Sequence, residues 1–186
     1  DLVIDEEGIT LLAQVLHQAT LSDSIDIQQN GARVEGLVLQ ITNDAVGLYS
    51  HIDGGSLAHR VDVVDTVINV DVTTHPQIYG AYFDSVDTTS SLFSGNVTVT
   101  GSGVAVDAFG IHFHNGKSGA HSVVGDVTVS VPGEARGIEF VALDSGSLAV
   151  SGRVSVSGGA DLLGVGMEVH DGDGSLTVNG EVFAHG

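Results

Sequence analysis

"ARGIEFVALDSGSLAVSGRVSVSGGAD", residues Ala135 to Asp161, runs directly into "LLGVGMEVHDGDGSLTVNGEVFAHG", residues Leu162 to Gly186, and the two stretches keep the same columns. A glycine anchors each unit, Gly137 and Gly164, and apolar residues stand one and three positions later: Ile138 and Phe140, then Val165 and Met167. Alternation with period two is the mark of a strand with one buried face. A second alternating stretch follows at Leu148 and Val150 (Leu176 and Val178 in the next unit), and a third at Val154 and Val156. Gly, Asp, Asn and Ser fill the intervals, where turns need positive φ or local side-chain hydrogen bonds.

Toward the N-terminus, "AFGIHFHNGKSGAHSVVGDVTVSVPGE", "IYGAYFDSVDTTSSLFSGNVTVTGSG" and "AVGLYSHIDGGSLAHRVDVV" fit the same frame. The anchors are Gly47, Gly80, Gly110, Gly137 and Gly164, at steps of 33, 30, 27 and 27 residues. Each is followed by the same inward pair: Leu48/Ser50, Ala81/Phe83 and Ile111/Phe113 upstream of those above. A unit this short cannot bury its own apolar face and must stack on its neighbours. Stacked parallel strands put equivalent residues roughly 4.8 Å apart, so Phe83, Phe113, Phe140 and Met167 should form one internal ladder. The sequence therefore predicts an all-β parallel β-helix, a solenoid of three-strand coils converging on 27 residues. An antiparallel β-sandwich would also show short Val- and Thr-rich strands between frequent turns. It has no reason to repeat the same columns at a fixed period.

The frame loosens over residues 1–35. Gly8 and Gly36 are 28 apart, and Ile9/Leu11, Leu21, Ile25/Ile27 and Leu37/Leu39 follow the unit as a first coil. "EEGITLLAQVLHQA" also carries Ile9, Leu12, Val15 and Leu16 at helical spacing, the pattern of an N-terminal capping helix. Strand is the reading adopted. Gly36 to Gly80 is 44 residues, so 37–80 reads as an irregular coil or an insertion within a single solenoid spanning 1–186.

Composition narrows the function. With 186 residues, 42% of them apolar, the chain has material for one continuous core. Lys+Arg number 5 against 24 Asp+Glu, a formal charge of −19, which repels nucleic acid and anionic membranes and favours divalent cations or basic partners. Aromatics are 5% and tryptophan is absent, so stacked nucleic-acid bases lack a platform. Absence of cysteine removes disulfides and thiolate metal sites. The opening residues Asp1 to Asp5 have no basic segment of the signal-peptide kind. No apolar run approaches the roughly 20 residues of a membrane-spanning helix. The expectation is a chain matured by processing or excised from a longer solenoid, with no membrane insertion by this segment.

Units of the form "GIEFVALDSGSLAVSGRVSVSGG" resemble the Gly/Ser/Val-rich repeats of bacterial surface β-helices, the autotransporter passenger domains and haemagglutinin-like adhesins, over residues 36–186. That resemblance implies a secreted or cell-surface solenoid used for adhesion, spacing or self-association. The partners it implies are further copies or neighbouring repeats, surface glycans, and host or matrix proteins. It supplies no site residues.

Candidate chemistry lies on the outward columns. Two residues after the anchors stand Tyr49, Tyr82, His112, Glu139 and Gly166; four after stand His51, Asp84, His114, Val141 and Glu168. His112 and His114 share a strand face, with Asp84 and Glu139 on the flanking coils, a set of donors suited to zinc, nickel or copper. The competing reading is a solvated polar face. His121 falls too far round the coil to join the set. "HDGDGSL", with Asp171 and Asp173, has the closely spaced oxygens of a calcium loop but lacks the remaining ligand frame, and reads first as a solvated turn. Calcium or another divalent cation is an accessory at most; no cofactor is required. Tyr49, Tyr82 and His112 could present a sugar-stacking ladder. Carbohydrate chemistry would need a carboxylate cluster aimed with a cation at the sugar. Lys117 is the only lysine, Arg33, Arg60, Arg136 and Arg153 are scattered, and Asp84, Asp87 and Asp107 do not converge in the pattern. No catalytic residue is assigned. Asn96-Val97-Thr98 matches a glycosylation acceptor, against a structural role for Asn96. The sequence thus points to a non-enzymatic structural and adhesive rod acting through its side faces or by end-to-end assembly, with carbohydrate binding or metal binding as the alternatives.

Overall fold

The computed structural model describes residues 1–52, 59–85, 89–102, 107–115, 118–159 and 161–186. It is a parallel β-solenoid, with no helix among the described residues. The front sheet stacks seven strands in chain order: Leu2–Ile4, Ile25–Ile27, Val46–Ile52, Gln77–Ser85, Asp107–Asn115, Ala135–Ala142 and Leu162–Val169. The second sheet holds the remaining ten strands and is bent along its length. Its longest members are His59–Asp71, Thr89–Thr100, Ser145–Ser157 and Gly174–His185, each paired in parallel with strands of the adjoining coils.

The register is the one the repeat predicts. Ala81, Ile111, Ile138 and Val165 lie opposite one another in successive coils, as do Phe83, Phe113, Phe140 and Met167. Phe113 and Phe140 are fully buried, and Phe83 stacks on Phe113 at 4.9 Å between ring centroids. Burial of a side chain of this size is worth about 1.5–3 kcal/mol, repeated once per coil.

The second and third strand segments of a coil run through the corner as one bent strand. The bend falls at Gly95, Gly125 and Gly152, with φ of 144°, 128° and 138°. A Cβ on Gly125 would sit 2.0 Å from the Gly95 carbonyl oxygen, and one on Gly152 2.1 Å from that of Gly125. Only glycine lets the backbone of one coil settle this closely on the next. The anchor glycines answer a different constraint, across the core. A Cβ on Gly80, Gly110 or Gly137 would lie 2.3 or 2.4 Å from Cγ1 of Val97, Val127 or Val154, so the facing valine leaves no room there for a side chain.

The N-terminal frame differs from the sequence reading. The column containing Leu48 continues to Ile25 and Leu2, so the first two steps are 23 residues, and Gly8 and Gly36 are not anchors. Gly36 sits at the bend after Arg33–Glu35, where its N–H donates to the Val64 carbonyl. The 44-residue interval from Gly36 to Gly80 was thus measured between two different positions of the coil, which is why it matched no whole number of units. Short coils mimicked the anchor because they too carry glycine at corners. Where the coil of His59–Asp71 has no corner glycine, Asp65 adopts φ 46° and an extra residue is accommodated between the Val63–Phe93 and Thr66–Gly95 pairs.

Corners are further tied by side-chain oxygens that accept from the backbone of the next coil. Asn96 Oδ1 takes the Asp126 N–H at 3.0 Å, and Asp126 Oδ1 takes the Arg153 N–H at 2.9 Å. Asn30 does the same for Arg60 at 2.8 Å. Asn96 therefore has a structural task at the position where the sequence offers a glycosylation match.

Candidate functional site: the outer face of the front sheet

Period-two alternation sends every second residue of a front strand outward. Asp26, Tyr49, Tyr82, His112, Glu139 and Gly166 form one outward column and His51, Asp84, His114, Val141 and Glu168 another. A third column, missed from the sequence, stands just before the anchors: Val46, Tyr79, Phe109, Arg136 and Leu163. Strict alternation hides it: the anchor glycine and the residue after it both face the core, as at Gly110 and Ile111, so a count of two carried backward from His112 lands on buried Ala108 and misses Phe109.

The proposed metal ligands divide into two pairs. His112 Nδ1 lies 3.0 Å from Glu139 Oε2, and His114 Nδ1 lies 3.0 Å from Asp84 Oδ1. Each pair bridges adjacent coils, on opposite sides of the strand Asp107–Asn115. The two imidazole centroids are 6.2 Å apart. Among the described residues, no group of three or more His, Asp or Glu side chains is gathered as a metal ion would require. The same pairing recurs lower in the stack, where His51 Nδ1 is 3.0 Å from Asp26 Oδ1. Asp26 escaped the sequence reading because the N-terminal frame was misplaced.

Glu139 is the hub. Its other oxygen accepts from the Arg136 guanidinium, which also donates to Glu134 Oε2 at 3.3 Å and lies 5.4 Å from the Phe109 ring centroid. Burial alone would raise the Glu139 carboxyl, but the adjoining His112 and then Arg136 outweigh it and hold it below the usual carboxylate range. Conversely, Tyr79 and Tyr82 are pushed up, first by burial and then by the charges of Glu139 and Asp84 respectively. They are neutral phenols at any physiological pH.

The aromatic side chains spend their ring faces on one another. Tyr49 stacks on Tyr82 at 5.4 Å and on His51 at 4.6 Å; Tyr79 stacks on Tyr82 at 4.9 Å and on Phe109 at 4.7 Å. His112 meets Tyr82 and Phe109 edge-on. Sugar binding by stacking needs a ring face turned to solvent, and here Tyr49, Tyr79 and Tyr82 form a ladder that joins coils. Such pairs contribute about 0.5–1.5 kcal/mol each beyond their buried area.

Other candidates lie apart. Asp171 and Asp173 occupy an exposed turn whose backbone bonds to Leu143 and Gly146. Asp107 holds the Glu134 N–H at 3.2 Å. Arg33 and Arg60 are paired with Glu35 and Asp62, and Arg153 lies over Phe183. Lys117 and Asp87 lie outside the described residues. His121, set aside in the sequence reading, points inward: it is 4% exposed and stacks on Phe113 at 4.2 Å. Burial lowers its pKa to about 3. No helix is long and apolar enough to cross a membrane among the described residues.

No protein-family model, curated protein or solved structure matches the chain.

Proposed function

We propose that the chain is a non-enzymatic structural and adhesive module: a secreted or cell-surface β-solenoid rod that meets its partners along its side faces or through its end coils. The observation that carries this reading is the closure of the front face on itself. Its imidazoles and carboxylates are paired from coil to coil, as in His112 with Glu139 and His114 with Asp84, and its rings are stacked on each other. Groups arranged for catalysis converge on a reacting atom in a cleft; these converge on their neighbours. The likeness of the Gly/Ser/Val units to bacterial surface β-helices supports the location, and the charge of −19 favours basic surfaces as partners.

The test is a panel of neutral and anionic polysaccharides and of immobilised matrix proteins, scored for both retention of the chain and cleavage of the polymer. Saturable retention without cleavage is expected. Depolymerisation that disappears in Glu139→Gln or Asp84→Asn would replace the structural reading with an enzymatic one.

A further inference from the structure

We infer that His112 and His114 form an open site for one divalent late-transition metal ion, bound through both Nε2 atoms, with Glu139 and Asp84 fixing the two rings from the flanking coils. The site lies in the middle of the rod, on the outer face of Asp107–Asn115.

A histidine that binds a metal through one ring nitrogen ordinarily donates the other N–H to a carboxylate or carbonyl, which sets the tautomer and the aim of the ring. Both imidazoles have that arrangement here. His114 Nδ1 is hydrogen-bonded to Asp84 Oδ1 at 3.0 Å, and His112 Nδ1 faces Glu139 Oε2 at 3.0 Å. An ionised carboxylate only accepts, so the neutral ring beside it carries its proton on Nδ1 and its lone pair on Nε2. Of the two His112 nitrogens only Nδ1 is sealed from solvent, and the His114 side chain is half exposed. The pairing across coils therefore spends the two Nδ1 atoms and leaves two accessible Nε2 donors.

Their spacing suits one ion. Residues i and i+2 of a strand share a face about 6.6 Å apart, and the two ring centroids are 6.2 Å apart with their planes at 44°. An ion lies about 2.0–2.1 Å from an imidazole nitrogen, so rings that share one have centroids roughly 4.5–6.5 Å apart. Tyr82 and Phe109 hold His112 edge-on at 5.2 and 5.0 Å, while the more exposed His114 is free to adjust to it. Two imidazoles are not the closed set of donors that a structural zinc takes; the ion keeps positions for water. His51 shows what the site needs. Asp26 orients it in the same way at 3.0 Å, but its in-strand neighbour on that face is Tyr49 and not a second imidazole. Nitrogen donors select copper(II), nickel(II) or zinc over calcium and magnesium, with copper bound most tightly.

Titration of copper(II) chloride into the 186-residue polypeptide, followed by calorimetry and electron paramagnetic resonance, tests this. A saturable site with coupling to two imidazole nitrogens is expected, and zinc should compete for it where excess calcium does not. Asp84→Ala should weaken binding by about 10–100-fold and keep the two-nitrogen spectrum, as befits a residue that positions a ligand without being one. His112→Gln and His114→Gln should each cost at least as much and leave coupling to one nitrogen. His114→Gln, at a half-exposed ring, should leave the far-ultraviolet circular dichroism unchanged. His51→Gln should alter neither affinity nor spectrum. Unchanged affinity in His114→Gln, displacement of the ion by calcium, or no saturable binding at all would overturn the site.

Discussion

His121 shows most sharply what one residue does in a solenoid. Its column runs Ser91, His121, Leu148 and Leu176, so an imidazole fills a place that later coils give to leucine. Burial holds its pKa at about 3 in the fold, against roughly 6.5 in an unfolded chain. Between those values the unfolded chain binds the extra proton, so this residue's contribution to stability is complete above about pH 6.5 and declines as the pH falls toward 3, by about 1.4 kcal/mol per pH unit. His121→Leu should therefore flatten the acid limb of the melting curve between pH 6 and 4. It should change stability at pH 8 by less than about 1.5 kcal/mol. Melting temperatures of both proteins across that range decide it; parallel acid limbs would show that His121 is already charged in the fold.

Glu139 must be charged where His121 must be neutral, and both requirements fail toward acid. Its carboxyl is held low by His112 and Arg136, against its own burial. A depressed carboxylate stabilises the fold above its unfolded pKa, and that contribution is lost as the pH falls through the folded one. Glu139→Gln should cost stability at pH 7, by about 1–3 kcal/mol because Arg136 and His112 lose a half-buried partner, and the penalty should shrink in acid. Equal penalties at pH 7 and pH 3, measured by urea unfolding, would mean that the loss is one of shape and not of charge.

At the scale of the strand, the corner glycines decide whether a coil can stack. Gly125 carries φ 128°, and a Cβ there would meet the Gly95 carbonyl oxygen at 2.0 Å. Strain at such a φ costs about 1–3 kcal/mol before the clash is counted, so Gly125→Ala should destabilise the molecule far more than Gly186→Ala, where a Cβ would meet nothing closer than 3.5 Å. A loss of cooperative melting in the first and not in the second is the expected result. The same elements explain what could be read from sequence and what could not. Strand, register and ladder were visible because Ile111, Ile138 and Val165 repeat at equal spacing, and equal spacing is what stacking requires. The N-terminal coils were misread because Gly36 carries φ 73° at a bend, and a corner glycine looks like an anchor glycine in a string of letters. On the outer face, the columns of His112 and His114 were legible, but the choice between one four-residue set and two pairs was not. That choice depends on which rotamer brings each Nδ1 to its nearest carboxylate, and a repeat period carries no rotamer.

For the molecule as a whole, charge and stacking act against each other. Each coil lies roughly 4.8 Å from the next, so any column of like charges is compressed to that spacing. Asp107, Glu134 and Asp161 stand at equivalent positions just before Ala108, Ala135 and Leu162, and three acids thus line one corner. Two unit charges so close repel by roughly 1 kcal/mol even in water. Five Lys+Arg cannot offset 24 Asp+Glu, and exposed pairs such as Arg60 with Asp62 each contribute only about 0–1 kcal/mol. Repulsion must therefore outweigh attraction in the screened part of the field. Raising the ionic strength from about 0.01 M to about 0.15 M shortens the Debye length from roughly 30 Å to roughly 8 Å, which should raise the melting temperature, by a few degrees for each kcal/mol of repulsion removed. The gain should be the same with sodium or potassium chloride, since it comes from screening. A melting temperature that falls with added salt would show that the attractive pairs, His112 with Glu139 between coils and Arg136 with Glu134 within one, contribute more than the self-repulsion of the rod.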